Sequence, residues 1–435
     1  MLDSIWSNTV TLPSFPTLHG NARSDVLIIG AGLTGLLTAY CLEQAGVDYL
    51  LIEADKICNG ISRNTTAKIT SQHGLIYHKL IRSFNEDYAR MYWQAHESAL
   101  TQLRHLCNDI PCDFEIKDSY IYSINQPQQL EQEETALSRL NIPFDHVQTP
   151  TLPFATAGAV KFSHQAQFHP LKFAAKISKN LNIREHTTAL EIGKNYVLTN
   201  RGRIAAKHII VTTHFPILNK HGSYFLKMYQ DRSYVLALEH APDLDGMYLD
   251  AAQGGLSLRN YGSFLLLGGG SHHTGKSSDG WKPLDTAAQK YFPDAQKRFY
   301  WAAQDCMTLD RAAYIGQYSK NTPNLYVATG FNKWGMTSSM LSAMILCDLI
   351  QGKKTPYASI FSPSRTILRP RLLQNTLNAS KNLLTFSAPR CPHLGCALKW
   401  NPHEHSWDCP CHGSRFTKNG TLLDNPATRN LKRKP

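Results

Sequence analysis

A group of cysteines and histidines near the C-terminus has the types and spacing of a metal site. The chain arranges them as C-x-H and then C-x-x-H, and the four donors are Cys391, His393, Cys409 and His412. Two thiolates and two imidazoles can hold the irons of a 2Fe–2S cluster, and the same donors are common at structural zinc. Zinc would leave the neighbouring Cys396 and Cys411 without an evident role. We therefore expect an iron–sulfur cluster, with zinc as the alternative.

A second set of residues has the spacing of a dinucleotide-binding turn. Gly30, Gly32 and Gly35 stand as G-x-G-x-x-G, and Glu53 follows after a second apolar run. Such glycines permit a tight turn, the close approach of a pyrophosphate and close packing of helix on strand, while the acid accepts hydrogen bonds from a ribose. The N-terminus of the following helix favours phosphate. The motif predicts dinucleotide binding but does not distinguish FAD from NAD.

The segments around the glycines predict the elements that this turn needs. Residues 26–29 and 49–52 are short apolar runs, typical of buried parallel strands, and 36–45 has helical periodicity. The polar loop at 54–74 is long enough to wrap the rest of a cofactor. A short strand at 324–328, a glycine-bearing turn and a helix at 337–350 would bring helix amides to the edge of an electron-rich ring.

Strands alternate with turns between residues 221 and 300, which predicts an antiparallel sheet over the cofactor. The glycine run at 268–270 and the segment 271–276 are expected to be loop. His272 and His273 in that segment are interpreted as solvated loop histidines rather than ligands. Residues 1–23 are expected to form an irregular arm on the first domain.

Length, charge and cysteine usage limit the class of protein. The chain has 435 residues, about two or three domains, with no apolar run of 18 residues and no secretory signal pattern, so we expect a cytoplasmic protein without a membrane span. Six scattered cysteines are typical of a reducing compartment. Residues 352–435 hold 14 Lys/Arg and 3 Asp/Glu, which indicates either a solvated tail or a docking face for an acidic partner or anionic surface. Without a nucleic-acid-binding motif, the charge does not favour nucleic acid.

Four segments in order resemble the FAD-dependent oxidoreductases of the D-amino-acid-oxidase superfamily, which includes glycine oxidase and gamma-glutamylputrescine oxidase. They are the glycine motif unit, TTAKITSQHG at 65–74, WAAQDCMTLDRAAYIG at 301–316 and VATGFNKWGMT at 327–337. The resemblance spans about residues 24–365 and implies FAD rather than NAD, with oxidation of a C–N bond. The FAD-lining residues that it implies are Gly30, Gly32, Gly35, Glu53, Ser62, Asn64, Thr65, Thr66, Gly330, Gly335 and Met336.

The C-terminal motif resembles a Rieske 2Fe–2S domain, and flavoproteins of this superfamily with such a domain form a known subgroup. The resemblance implies that Cys396 and Cys411 form the disulfide that clamps the two ligand loops in many Rieske proteins. Only residues 366–390 separate the flavoprotein part from Cys391. The base strands of the domain therefore look shortened.

Together these patterns predict an α/β plus α+β fold. An FAD-binding Rossmann-like domain (24–80, 155–215 and 300–352) would carry an inserted antiparallel substrate domain (81–154 and 216–299) within residues 1–365. A connector (366–390) and a small all-β Rieske domain (391–435) would follow.

The leading functional hypothesis is oxidation of an amine or amino-acid-like substrate by FAD, with electrons passed to the Rieske centre and then to an acidic electron-transfer protein. The alternatives are a simple oxidase that uses oxygen, with a vestigial C-terminal domain, and a non-catalytic redox module. The sequence does not identify the catalytic residues; Lys68, Lys333 and Arg259 are weak candidates.

Overall fold

The protein is described from a computed structural model, which covers residues 3–218, 221–366 and 389–432. The predicted connector at 366–390 falls almost wholly outside the described residues. The division into domains at about residue 365 stays a prediction. No helix of the described ranges combines the length and the apolar composition that a membrane span requires.

The helices begin and end as follows: α1 (Ile5–Thr9), α2 (Leu33–Gln44), α3 (Tyr77–Ser83), α4 (Glu86–Asp109), α5 (Pro127–Leu140), α6 (Pro170–Ile177), α7 (Tyr224–Lys227), α8 (Lys282–Tyr291), α9 (Gly335–Ile350) and α10 (Ala358–Phe361). The first of these corrects the expected irregular arm, because α1 buries Trp6 completely. The Trp6 indole donates to the carbonyl of Thr65 at 2.8 Å and so fixes the loop that follows the glycine motif.

The first ten strands are β1 (Ala22–Ile29), β2 (Tyr49–Ile52), β3 (Lys68–Ile69), β4 (Glu115–Ser123), β5 (Asp145–Val147), β6 (Gly158–Gln167), β7 (Ile183–Arg184), β8 (Ala189–Ile192), β9 (Tyr196–Thr199) and β10 (Arg203–Val211). The others are β11 (Met228–Glu239), β12 (Met247–Asp250), β13 (Ser257–Tyr261), β14 (Phe264–His273), β15 (Gln296–Thr308), β16 (Tyr314–Gln317), β17 (Leu325–Thr329), β18 (Lys399–Asn401), β19 (Ser406–Asp408), β20 (Arg415–Thr417) and β21 (Leu422–Asp424).

The first sheet is the expected nucleotide-binding sheet. Its order is β16-β17-β10-β1-β2-β7, with β8 and β9 continuing from β10, and β1 lies parallel to both β2 and β10. The apolar runs at 26–29 and 49–52, in β1 and β2, are buried, as predicted. Helices α2 and α9 pack together on it, and the hydroxyls of Thr34 and Ser339 are hydrogen-bonded at 2.9 Å.

The second sheet has the order β15-β11-β14-β13-β12-β4-β6-β3 and is antiparallel apart from the β4–β12 pair. β6 and β15, which the sequence division assigned largely to the FAD-binding part, pair in this sheet with β4 and β11.

The expected loop at 268–273 was wrong, because these residues belong to β14. Gly268 pairs with Val235. A Cβ at Gly269 would lie 3.0 Å from the Leu284 side chain of α8. The glycines therefore allow close packing of helix on sheet rather than marking a loop.

The third sheet joins β18, β19, β20 and β21, four antiparallel strands of three residues each. It encloses a small core of its own, to which Phe416, Leu398 and the cysteines of the metal motif contribute. The described part of this region is therefore the small all-β unit that the sequence predicts.

Candidate functional site: a cofactor cavity beside a cluster motif

A cavity of about 1120 Å³ is lined by residues of both large sheets and of the C-terminal segment. The predicted cofactor residues that line it are Gly30, Gly32, Glu53, Ser62, Asn64, Thr65, Thr66, Gly335 and Met336. Gly35 and Gly330 are not among its lining residues. The structure thus brings nine predicted residues together around one space.

Gly35 and Gly32 differ in what surrounds them. A Cβ at Gly35 would lie 1.9 Å from the carbonyl oxygen of Gly30, so this glycine serves the packing of α2 on the turn. A Cβ at Gly32, the N-cap of α2, would meet only the Ser62 hydroxyl at 3.2 Å. The space beside Gly32 is therefore open toward the cavity, as close approach of a pyrophosphate requires.

Polar groups around the turn hold its backbone. Gly30 has φ +103°, a conformation that favours glycine. The Glu53 carboxylate accepts the Ala31 N–H at 2.7 Å, and the Ser62 hydroxyl accepts the Leu33 N–H at 3.1 Å. Burial raises the pKa of Glu53. The open turn, the helix N-terminus and this acidic residue fit FAD.

The turn before α9 is attached to β15. A Cβ at Gly330, which has φ +73°, would lie 2.4 Å from the Thr308 methyl, so Gly330 allows this contact rather than facing the cavity. The Asn332 side chain accepts the Thr308 N–H at 2.8 Å. The Trp334 ring stacks on His73, with 4.8 Å between centroids. The N-terminus of α9 is thereby held at the cavity, where Gly335 and Met336 line it.

The structure separates the three weak catalytic candidates. Lys68 and Lys333 line the cavity, whereas Arg259 does not. The Lys68 ammonium donates to the Tyr248 carbonyl at 2.8 Å and the Ser257 hydroxyl at 2.6 Å, and burial, with the charge of Arg259, lowers the pKa of Lys68 to about 7. Lys333 is exposed and donates to the Ser271 hydroxyl.

Arg259 is fully buried behind the cavity lining. Its guanidinium carbon lies 5.3 Å from the Trp6 ring centroid and 6.0 Å from that of Tyr261. None of its nitrogens has a hydrogen-bond partner in the described part of the chain, and burial lowers its pKa to about 9. Arg259 is therefore a buried side chain of the sheet and not a residue of the cavity wall.

The four predicted cluster ligands lie together. The thiols of Cys391 and Cys409 are hydrogen-bonded to each other, and the rings of His393 and His412 have centroids 4.9 Å apart. Nδ1 of His412 is buried without a hydrogen-bond partner among the described residues. Two adjacent thiols with two adjacent imidazoles fit a 2Fe–2S cluster held by two thiolates and two histidines.

A disulfide joins Cys396 to Cys411. The sulfurs of Cys396, Cys409 and Cys411 lie within 4.8 Å of one another, so the disulfide is next to the donor set. The Ser414 side chain hydrogen-bonds the Cys391 thiol and accepts the Ala427 N–H at 3.0 Å. The hydroxyl is therefore positioned to support a cluster sulfur.

The cluster-binding loops dock on the second sheet. The Gln230 amide donates to the His412 carbonyl at 2.5 Å, and the Gln304 amide donates to the Gly413 carbonyl at 2.8 Å. His273 Nε2 lies 2.9 Å from the Pro410 carbonyl oxygen, and His272 hydrogen-bonds the carbonyl of Gly270. The interpretation of His272 and His273 as solvated loop residues was therefore wrong.

A buried ion-pair network fastens the same surface. Arg232 of β11 forms a two-pronged pair with Glu404, and the two side chains are 7% and 8% exposed. Arg415 contacts Glu404 at 2.8 Å and Asp408 at 3.0 Å. Burial alone would raise the pKa of Glu404, but the charges of Arg232 and Arg415 lower it to about 2. Sequence reasoning missed this network, since no local motif links residues 232 and 404.

The C-terminal segment also closes part of the cavity. Leu422, Leu423, Asp424 and Asn425 line it. The Asn425 amide donates to the carbonyls of Thr213 and Phe215, the second at 3.2 Å. The cofactor cavity and the cluster motif thus share walls.

Comparison with known proteins agrees with these two sites. Residues 25–349 match the family "FAD dependent oxidoreductase", and residues 374–435 match the "Rieske [2Fe-2S] domain". The chain is 35% identical over 493 residues to the "Putative Rieske 2Fe-2S iron-sulfur protein YhfW" of Bacillus subtilis (strain 168), covering 99% of this chain and 97% of that protein. The iron-sulfur subunit 2 of the cytochrome b6-f complex of Trichormus variabilis is 50% identical over 42 residues, 10% of this chain and 24% of that protein.

Solved structures give the fold of the flavoprotein part. Glycine oxidase from Geobacillus kaustophilus superposes with a TM-score of 0.67 at 19% identity, covering 80% of this chain and all of that one (100%). L-proline dehydrogenase from P. horikoshii superposes with a TM-score of 0.66 at 15% identity, covering 79% and 98%. The chain belongs to the FAD dependent oxidoreductase family, binds FAD, and carries a C-terminal Rieske domain that binds a 2Fe–2S cluster.

Proposed function

We propose that this protein oxidises a C–N bond of an amine or amino-acid-like substrate and delivers the electrons to its own Rieske centre. The observation that carries the proposal is the direct hydrogen bond from Gln304, which lines the FAD cavity, to Gly413 of the second ligand loop. Gln230 makes the equivalent bond to His412. One layer of side chains thus separates the two cofactor sites.

The residues of the chain have distinct tasks in this proposal. Gly32 and the N-terminus of α2 bind the pyrophosphate, and Glu53 accepts hydrogen bonds from the ribose. The N-terminus of α9 directs its positive dipole end at the ring. The bound flavin supplies a two-electron acceptor, and the Rieske cluster takes one electron at a time.

The substrate class rests on fold-level analogy. Glycine oxidase, L-proline dehydrogenase and L-amino acid deaminase from Proteus vulgaris are among the structures with the same fold. Their names describe reactions at C–N bonds of amino acids. Because one fold can host several chemistries, this similarity supports the reaction class and leaves the substrate to experiment.

The electron acceptor beyond the cluster is proposed to be an acidic protein. Lys399, Lys418, Arg429 and Lys432 are exposed on the C-terminal unit. Arg429 and His393 both line a smaller cavity of about 290 Å³. An acidic partner that docks here would meet a cluster ligand, and its rate of reduction would fall with added salt, because surface charges are screened over about 8–10 Å.

An anaerobic rapid-mixing experiment tests the proposal. The protein, loaded with FAD and iron, is mixed with a panel of amines and amino acids. Flavin absorbance reports substrate oxidation, and electron paramagnetic resonance of frozen samples reports the reduced cluster. We expect flavin bleaching, followed by a Rieske signal. In Cys409→Ser, we expect bleaching without the signal.

Other results would favour the alternatives. Rapid reoxidation by oxygen, equal in wild type and Cys409→Ser and without a cluster signal, would indicate a simple oxidase. If dithionite reduces the flavin but no compound of the panel does, the chain is a redox module rather than an enzyme of this class.

A further inference from the structure

Two carboxylates lie side by side on the strands that cover the flavin cavity. Asp231 of β11 is the register partner of Asp305 of β15, so their Cβ atoms are about 4.5–5.5 Å apart. Both residues line the cavity. Like charges directly opposite each other are unfavourable in a sheet. Their occurrence at a cofactor cavity therefore requires an explanation.

Strand alternation assigns these carboxylates to the flavin side of the sheet. Gln230, Arg232 and Gln304 contact the cluster unit. Successive side chains of a strand point to opposite faces, so Asp231 and Asp305 lie on the face opposite to these three side chains. Trp301 shares their face, and its indole donates at 2.9 Å to the carbonyl of Asn64 in the FAD-lining loop. The pair thus faces the FAD cavity.

No described residue satisfies this pair. Asp231 is only 7% exposed, yet no described side chain or backbone N–H donates a hydrogen bond to either carboxylate, and neither has an ion-pair partner within 4.0 Å in the described ranges. Burial raises the pKa of Asp305 to about 6. The positive charge of Lys333 opposes this rise, and the negative charge of Asp231 adds to it. Asp305 is only half-buried. Two adjacent negative charges repel each other, and a cation between them relieves that repulsion.

We propose that Asp231 and Asp305 bind the cationic amino group of the substrate, so that the preferred substrates are amines without an α-carboxylate. This inference rests on the proposed function and narrows its substrate class. For oxidation, one N–H bond of the ammonium breaks, its proton forms an O–H bond on Asp305, and the electron pair stays on nitrogen. Asp231 holds the amine in place.

The cations at this end of the cavity argue against recognition of a carboxylate. Arg232 and Arg415 line the cavity, but both guanidinium groups are paired with Glu404 of the cluster unit. Lys333 lies beside Asp305 and donates to Ser271. A substrate carboxylate next to the aspartate pair would be repelled by two negative charges and would find these arginines already neutralised.

Matched substrate pairs test the proposal on the protein loaded with FAD and cluster. The pairs are benzylamine with phenylglycine and propylamine with 2-aminobutyrate, each amine being its amino acid without the carboxylate. Asp231→Asn and Asp305→Asn remove one charge each, and Asp305→Glu keeps it. Glu239→Gln, on the same strand but partly exposed and paired with Arg298, is the control for charge alone. Binding of benzyltrimethylammonium and of benzoate, measured by calorimetry, gives a readout that does not require turnover.

We expect the amines to be oxidised at least 10-fold more efficiently than their partner amino acids. Each Asn variant should raise KM for the amine about 10- to 100-fold, the value of a hydrogen bond to a charged group. It should also weaken the binding of benzyltrimethylammonium, which has no N–H and is held by charge attraction alone. Asp305→Glu should keep much of the wild-type KM and of the wild-type cation binding, and Glu239→Gln should match wild type in both measurements. Asparagine relieves the repulsion between the two charges, so we expect these variants to fold.

Two results separate this inference from the proposed function. If C–N compounds are oxidised but the amino acids are preferred, or the Asn variants bind the cation as tightly as wild type, the inference is overturned and the function stands. If no C–N compound reduces the flavin while the Asn variants lose cation binding, the cation site stands and the proposed function fails.

Discussion

The glycine turn and the cluster-docking surface are encoded in different ways. The turn consists of six consecutive residues, and what constrains its sequence is steric contact with the backbone. A Cβ at Gly35 would lie 1.9 Å from the carbonyl oxygen of Gly30. The docking surface joins residues far apart in the chain through side chains, with Arg232 and Glu404 at its centre. The turn therefore depends on steric fit at one contact, whereas the docking surface depends on several charges that neutralise one another.

Both regions nevertheless use glycine for close approach. A Cβ at Gly275 would lie 2.8 Å from Pro410, and one at Gly413 would lie 2.6 Å from the Gln230 side chain. In the turn, the obstacle is a carbonyl that the strand and helix hold fixed. At the docking surface, the obstacle at Gly413 is a flexible amide. Substitutions in the turn should therefore cost more than substitutions at the surface.

The largest effect is expected from Gly35→Ala. The methyl group would overlap the Gly30 carbonyl, so we expect a loss of about 4 kcal/mol or more in the free energy of unfolding, the range of the most damaging single substitutions. Urea unfolding of the flavin-free protein measures it. Gly32→Ala should instead keep the stability and lose flavin, read from visible absorbance. Gly60→Ala, with no atom within 4 Å of the added Cβ, is the control for stability. Normal stability of Gly35→Ala would contradict the packing argument.

Breaking the charge network should have the next largest effect. Glu404→Gln leaves Arg232 without its carboxylate, and we expect a loss of about 3–5 kcal/mol, typical when one partner of a buried pair is removed. Urea unfolding measures this loss, and limited proteolysis reports release of the C-terminal unit. Glu239→Gln removes a partly exposed carboxylate, 24% exposed against 8% for Glu404, and should cost at most about 1 kcal/mol. If Glu404→Gln and Glu239→Gln lose equal amounts of unfolding free energy, the docking surface does not depend on the neutralisation of its buried charges.

Acid should weaken the same network in a defined pH range. The pKa of Glu404 is lowered from 4.5 to about 2, so its contribution is complete above pH 4.5 and is lost as the pH falls to about 2. The shift corresponds to about 3 kcal/mol at most. We expect the difference in unfolding free energy between wild type and Glu404→Gln to shrink over this window. A constant difference from pH 5 to pH 2 would contradict the assignment.

The sequence predicted the parts of the molecule that are local in the chain. The glycine spacing, the apolar runs of β1 and β2 and the Cys/His motif each lie within a short segment, so their geometry follows from neighbouring residues. The glycines at 268–270 were misinterpreted because their packing partner, Leu284 of α8, is not visible from local composition. Asp231 and Asp305 become a pair only through the register of β11 with β15. A contact that depends on strand register or domain docking has no local signal.

The smallest effect is expected inside the cluster unit, at Phe416. Phe416 is fully buried in the core that contains Cys391 and Cys409, and Ser414, two residues before it, already hydrogen-bonds Cys391. Hydrogen bonds to the cluster sulfurs raise the potential of Rieske centres within a range of about −150 to +300 mV. Phe416→Tyr adds a hydroxyl, and a net hydrogen bond of about 0.5–1.5 kcal/mol corresponds to an upward shift of about 20–60 mV for a one-electron couple. Redox titration followed by electron paramagnetic resonance measures the midpoint, and thermal unfolding checks that the extra atom is accommodated. An unchanged or lowered midpoint in a stable variant would contradict this tuning while leaving the cluster assignment intact.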